Sequence, residues 1–264
     1  MKKTTKFLIN LTSVGSIVLI ATLNASQLAV VGQPTPNNVD GGPPTQSGGP
    51  RFVQPREDID NRPPNQRRNP VVRGGCGSIS QLSLKALVPE NKIGRTVSDY
   101  PTLFFYLPQT GAELAEFTLE DQSRNQIYKQ DVTISNLSGV IGVSIPANKN
   151  VPPLEVGKSY RWNFTVICDS QDRSIDQMET GIVRRVELSA DIRSQLEKAD
   201  PRQKTVIYAE NGIWQDALGT LVAARRANPN DAELVADWKI LLDSVKLSEI
   251  AAEPIVPIDP QPQP

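Results

Sequence analysis

The chain has 264 residues, 38% of them hydrophobic and 22% charged, enough for one large or two small buried cores. It carries 28 Lys and Arg against 29 Asp and Glu; setting aside Lys2, Lys3 and Lys6 leaves 25 against 29, a mildly acidic balance that argues against nucleic acid as a partner. There is no histidine, which excludes the commonest general base, the commonest neutral metal ligand and every Ser-His-Asp or Cys-His arrangement.

Residues 1–25 have the layout of a secretory signal: a charged start at Lys2, Lys3 and Lys6, an apolar run from Phe7 to Leu23, then small or polar residues through Asn24, Ala25 and Ser26. A retained membrane anchor is the competing reading. Asn10, Thr12, Ser13, Ser16 and Thr22 interrupt the run and weaken it as a bilayer span. Either way the rest of the chain is expected outside the cytoplasm, in the periplasm or beyond. No cysteine follows the run, so a lipoprotein signal is absent, and Lys2-Lys3 is not a twin arginine.

Residues 26–75 read as a disordered Pro/Gly-rich linker. Gly32 to Gly75 holds nine Pro and seven Gly, with Phe52 its one aromatic residue, too little apolar surface to offset chain entropy. Six arginines (Arg51, Arg56, Arg62, Arg67, Arg68 and Arg73) also allow a basic adhesive arm, but their charge is largely balanced and a plain spacer is favoured. Residues 253–264, with five prolines, read as a second disordered tail.

From 76 to 188 the pattern is β, with seven candidate strands: Leu82 to Val88, Leu103 to Leu107, Leu114 to Glu120, Gln126 to Ile134, Val140 to Ile145, Ser159 to Ile167 and Thr180 to Leu188. Seven short strands in little over a hundred residues predict a β-sandwich of immunoglobulin or fibronectin type. In the sixth, Tyr160, Trp162, Phe164 and Val166 fall on one face and supply core side chains; a ligand-stacking row on the same residues is the weaker reading. The stretch Leu154 to Tyr160 resembles the corner of such sandwiches at which a tyrosine hydroxyl ties back to upstream backbone.

If successive strands run up and down, the start of the first and the end of the sixth share a pole. Cys76 and Cys168 can then meet, and an exported chain with an even cysteine count is expected to pair them. A metal site or a catalytic thiol is the alternative. Without histidine, two cysteines make a poor zinc site and a thiol lacks its usual activator.

From 189 to 252 the period becomes helical. Ser189 predicts an N-cap for a helix through Lys198, and Asp200-Pro201 a cap and first-turn proline for a helix through Glu210. Tyr208, Gly212 to Ala217, Leu221, Ala224 and Pro229 match the second half of a tetratricopeptide repeat, and Asp231 to Val245 the first helix of another. One and a half repeats fall short of the three or so that form an independent solenoid, so helices packed on the sandwich are favoured over a peptide-binding groove.

Several strings, among them Tyr100-Pro101-Thr102-Leu103-Phe104-Phe105-Tyr106-Leu107-Pro108, Tyr160-Arg161-Trp162, Cys168-Asp169, Tyr208-Ala209-Glu210-Asn211-Gly212-Ile213-Trp214 and Arg225-Arg226-Ala227-Asn228-Pro229-Asn230, closely resemble the cyanobacterial family called domain of unknown function 928, from Cys76 to about Ala251. Both cysteine positions and the proline-rich leader fit that resemblance. Glu179-Thr180-Gly181-Ile182 departs from it, since an aromatic residue is expected near the end of that segment. The family brings no established activity.

The one carboxylate group resembling a metal site is Asp169, Asp172 and Asp176, whose spacing would let three carboxylates converge on calcium. The loop lacks an internal glycine and the Asp-x-Asp-x-Asp-Gly pattern, so a turn whose Asp and Ser side chains cap backbone amides is the simpler reading. Glu179 with Asp176 as an acid/base pair is weaker still. No catalytic residue and no cofactor is assigned. The expected function is that of an exported, noncatalytic cell-envelope protein presenting surfaces to another envelope protein. A glycan or cell-wall binding module is the first alternative and a hydrolase the second; a membrane is a partner only if the N-terminal segment is retained. Exposure of Trp162 or Trp214 would favour glycan, and burial of both would favour a protein partner.

Overall fold

The run Leu103-Phe104-Phe105-Tyr106-Leu107 has no strongly polar member, so a strand built from it has to be covered on both faces. The computed structural model, which describes residues 48–60, 76, 83–147 and 150–257, satisfies that demand with three layers. The described strands are β1 Lys85–Ala86, β2 Ile93–Thr96, β3 Thr102–Leu107, β4 Leu114–Glu120, β5 Gln126–Thr133, β6 Gly139–Ser144, β7 Ser159–Ile167 and β8 Gln177–Arg185. The described α-helices are α1 Arg56–Asp60, α2 Ala190–Lys198, α3 Pro201–Glu210, α4 Trp214–Ala227 and α5 Ala232–Asp243. A three-stranded sheet (β1-β3-β6) faces a five-stranded one (β2-β8-β7-β4-β5), and helices follow. The segment expected to direct export, 1–25, lies outside the described residues.

Alternation along β7 places Tyr160, Trp162, Phe164 and Val166 inside, against Phe105 of β3. Phe105 stacks on Phe164 with ring centroids 4.3 Å apart and meets Trp162 edge-on at 5.5 Å. Opposite Trp162 in the ladder stands Gly181, where an added Cβ would lie 2.3 Å from the indole. The glycine therefore makes room for Trp162, and no aromatic residue fits at that position of this chain. Tyr160 Oη accepts a hydrogen bond from the Glu155 amide at 2.9 Å, tying the start of β7 to the preceding corner.

The sequence reading misses β2. Ile93-Gly94-Arg95-Thr96 is short, contains glycine and a charge, and has no alternation, yet all four residues are buried. A turn at Pro89 to Lys92, with Lys92 at φ 60°, carries the chain from β1 in one sheet to β2 in the other, where β2 runs parallel to β8. The last strand begins at Gln177 rather than Thr180. Cys76 and Cys168 are joined by a disulfide with Cα atoms 4.5 Å apart.

The outer face of β3 is covered by helices. Phe104 and Tyr106 point away from the sandwich core and join Val140, Leu87, Trp214, Leu218, Leu221 and Trp238 in a second core. The caps are those expected: Ser189 accepts from the Ile192 amide, and Asp200 with Gln203 forms a reciprocal capping box at α3. Asp231 caps α5 through the Glu233 and Leu234 amides. Gly212, at φ +71°, makes the tight α3–α4 turn. The ion pair of Arg202 on α3 with buried Asp237 on α5, 2.6 Å, locks these two helices together.

Two segments expected as featureless are placed. Residues 48–60, within the expected linker 26–75, lie against the helices and the β2–β8 edge, because Phe52 packs on Trp214 and Asp58 pairs with Arg95 and Arg184. Residues 253–257, at the start of the expected tail, follow β6: the Val140 amide donates to Pro254 O and the Val256 amide to Val140 O. Local composition did not reveal either contact, since each rests on partners far along the chain. No described helix is long and apolar enough to cross a membrane.

Candidate functional site

Helix α4 presents its apolar stripe, Trp214, Ala217, Leu218 and Leu221, to the sheet, and Trp214 Nε1 donates to Leu87 O at 2.8 Å. Beside that stripe the helix carries Gln215 at a buried position and Asp216 at a half-buried one. Between them and the outer face of β3 and β6 lies a cleft of about 440 Å³. Phe104 and Gly142 line it on the sheet side, Thr102 and Ser144 form a hydroxyl pair 2.8 Å apart, and Gln215, Asp216 and Arg226 line it on the helix side. A Cβ at Gly142 would lie 2.9 Å from the Phe104 ring, so glycine keeps that ring in place.

Asp216 is half-buried and accepts from the Val97 amide at 3.1 Å, fastening α4 to the end of β2. Burial pushes its carboxyl up to about 6, against the opposing effect of hydrogen bonds from Thr96 and Val97. Gln215 is 3% exposed, and neither its Nε2 nor its Oε1 has a partner. Its carboxamide lies over Gly94 of β2, where a Cβ would stand 2.4 Å from Nε2. A buried polar group without a partner costs about 1–3 kcal/mol, and such a group in a native fold calls for an explanation. Arg226 donates to Val256 O at 3.0 Å, and burial lowers the pKa of its guanidinium.

Comparison with known families matches residues 66–255 to the Domain of Unknown Function (DUF928). The chain belongs to this family. The matched region includes both sheets, helices α2 to α5 and the cleft, and begins after the placed segment 48–60. No curated protein matches this DUF928 chain.

The three acids singled out from the sequence are neighbours in the chain but act separately. Asp169 accepts from the Gln171 amide at 2.8 Å, and Asp172 caps a 3-10 turn, Arg173–Ile175, through the Ser174 amide at 3.0 Å. Asp176 accepts from the Cys168 amide at 3.0 Å and pairs with Arg173. Each carboxylate is occupied with the local backbone, and among the described residues no group of three or more Cys, Asp or Glu is arranged to hold a metal ion. Glu179 pairs with Lys92 at 2.7 Å while Asp176 pairs with Arg173, so the structure does not join them as an acid/base pair.

All three tryptophans of the DUF928 chain, Trp162, Trp214 and Trp238, are fully buried. Sequence reasoning passes over Gln215 and Asp216, which sit inside a motif explained by helix packing. The available signal is two adjacent polar residues immediately after a core tryptophan, one turn before the next buried leucines. It becomes informative only when β2, itself unreadable, is laid beside them.

Proposed function

We propose that the chain is an exported, noncatalytic cell-envelope protein of cyanobacterial origin that binds another envelope protein, using the α4–sheet cleft as its recognition site. The observation that carries this reading is the cleft, lined on its helix side by Gln215, a residue whose buried carboxamide has no partner. A primary amide offers a donor and an acceptor together, and a polypeptide backbone offers the complementary pair. The burial of Trp162 and Trp214 favours a protein partner over a stacked glycan. The Cys76–Cys168 disulfide fits an oxidising compartment.

The finer fold assignment belongs to the same proposal. The strand order, with β2 crossing to pair in parallel with β8, and the Tyr160 tie support an immunoglobulin-like sandwich. The α3–α4 hairpin closed at Gly212, with small Ala217 buried on α4, supports a tetratricopeptide-like cap. The experiment is recovery of a cross-linked complex from the envelope fraction of cells expressing the full chain. A discrete complex held by the parent and lost by Gln215→Leu, with unchanged melting, supports the proposal; retention by both, or recovery of the chain in the cytoplasm, contradicts it.

A further inference from the structure

The segment Gly49 to Asp58 is bound across the helical cap much as a peptide ligand would be. Gly49 lies against α5, where an added Cβ would come within 2.6 Å of Ile240 and 2.9 Å of Asp237, so this position accepts no side chain without movement. Phe52 meets Trp214 edge-on with centroids 5.2 Å apart, and its amide donates to Ser244 Oγ at 3.1 Å. The Val53 amide donates to Ala209 O at 3.0 Å while its own side chain is exposed. Pro55 rests on Gly212, where any Cβ would clash at 2.4 Å. Asp58 is buried between Arg95 on β2, 2.5 Å, and Arg184 on β8, 2.8 Å. The segment thus supplies a backbone hydrogen bond, an aromatic anchor, a proline and an acid, each received by a residue inside the region 66–255 that defines the family, while the segment itself lies outside that region.

We infer that the groove running from α5 over the α3–α4 turn to Arg95 and Arg184 is a peptide-recognition site, filled in this chain by its own segment 49–58. Its external ligand is a partner segment that is extended at an aromatic residue, carries a proline three positions later and turns helical after it, with an acid three positions beyond the proline. This inference rests on the reading of the chain as an interaction module and names a second surface, separate from the cleft. Residues 61–75 number 15, a length of chain that reaches at most about 50 Å. Tethering also gives the resident segment an effective concentration on the order of millimolar, which an external ligand has to overcome. Occupancy of the groove by its own chain is therefore a built-in competitor.

The test uses the full chain with a protease recognition sequence inserted between Pro64 and Asn65. After cutting, a fluorescent synthetic peptide of residues 48–60 should bind saturably, and at least tenfold more tightly than to the uncut chain. Peptides carrying Phe52→Ala or Asp58→Asn should bind at least tenfold more weakly than the parent peptide. Loss of native circular dichroism on cutting would show that the segment is part of the core and would overturn the inference. So would a folded, cut chain that takes up no peptide, or equal binding of all three peptides. Strap-exchanged dimers that exclude the peptide would identify a second copy as the occupant, also against the proposal. Peptide exchange does not depend on Gln215, so failure here leaves the cleft-dependent capture experiment unaffected, and the reverse holds.

Discussion

The two faces of the three-stranded sheet are built from the same strand, yet they differ in kind. On the inner face Leu103, Phe105 and Leu107 meet Trp162, Phe164 and Leu119 in a core of apolar and aromatic side chains. On the outer face Phe104 and Tyr106 meet α4, but Gln215 is buried and Asp216 half-buried beside them, and a cleft remains. The inner face gains from continuous apolar burial. The outer face gives up part of that gain to hold polar groups in fixed positions, the usual signature of a surface shaped for recognition.

The inner core should be the more sensitive to its covalent tie. The Cys76–Cys168 bond closes 92 residues of chain, and replacing both cysteines by alanine should cost about 4 to 5 kcal/mol in the chain-entropy account. Urea titration of oxidised parent and double variant measures this directly; a loss under about 1 kcal/mol would remove the disulfide from any large role in stability. On the outer face Trp214→Ala should cost about 3 to 5 kcal/mol, since it empties a fully buried site and leaves Leu87 O without its donor. Equal melting of parent and variant would mean that the helical cap contributes nothing to the stability of the sandwich.

Asp216 sharpens the contrast through pH. Its carboxyl is raised from 3.8 to about 6 in the folded chain, so the native state binds more protons than the unfolded state between those values. Its contribution to stability is therefore fully present below about pH 4 and is lost as pH rises through about 6, a change of about 3 kcal/mol. Asp216→Asn should flatten the urea midpoint over this window relative to the parent; an unchanged slope would contradict the assignment. The smallest effect is expected at the corner before β7, where Tyr160→Phe removes the acceptor of the Glu155 amide and should cost about 1 kcal/mol in the same titration.

Much of the architecture is legible in the sequence because its signals are local. Period-two alternation marks β4 and β7, and Ser189, Asp200 and Asp231 mark helix starts that the structure places within a residue or two. β2 is not legible, since Gly94, Arg95 and Thr96 are met by Gln215, Asp58 and Asp216 and paired with β8, all distant in sequence. The placed part of the leader is hidden for the same reason: Phe52 and Asp58, in a proline-rich stretch, carry no periodicity. The cleft is lined by Thr96 at the end of β2 and by Gln215 and Asp216 of α4, so it emerges only when β2 and α4 are seen side by side.

The most direct test of the central claim, that recognition belongs to the helix-covered face and not to the free face of the five-stranded sheet, is photo-crosslinking in the envelope. A photoreactive residue at Thr220, beside the cleft on α4, should give a discrete cross-linked species, while one at the exposed Lys129 on β5 should give none. The reverse pattern, or equal yields from the two positions, would contradict the account.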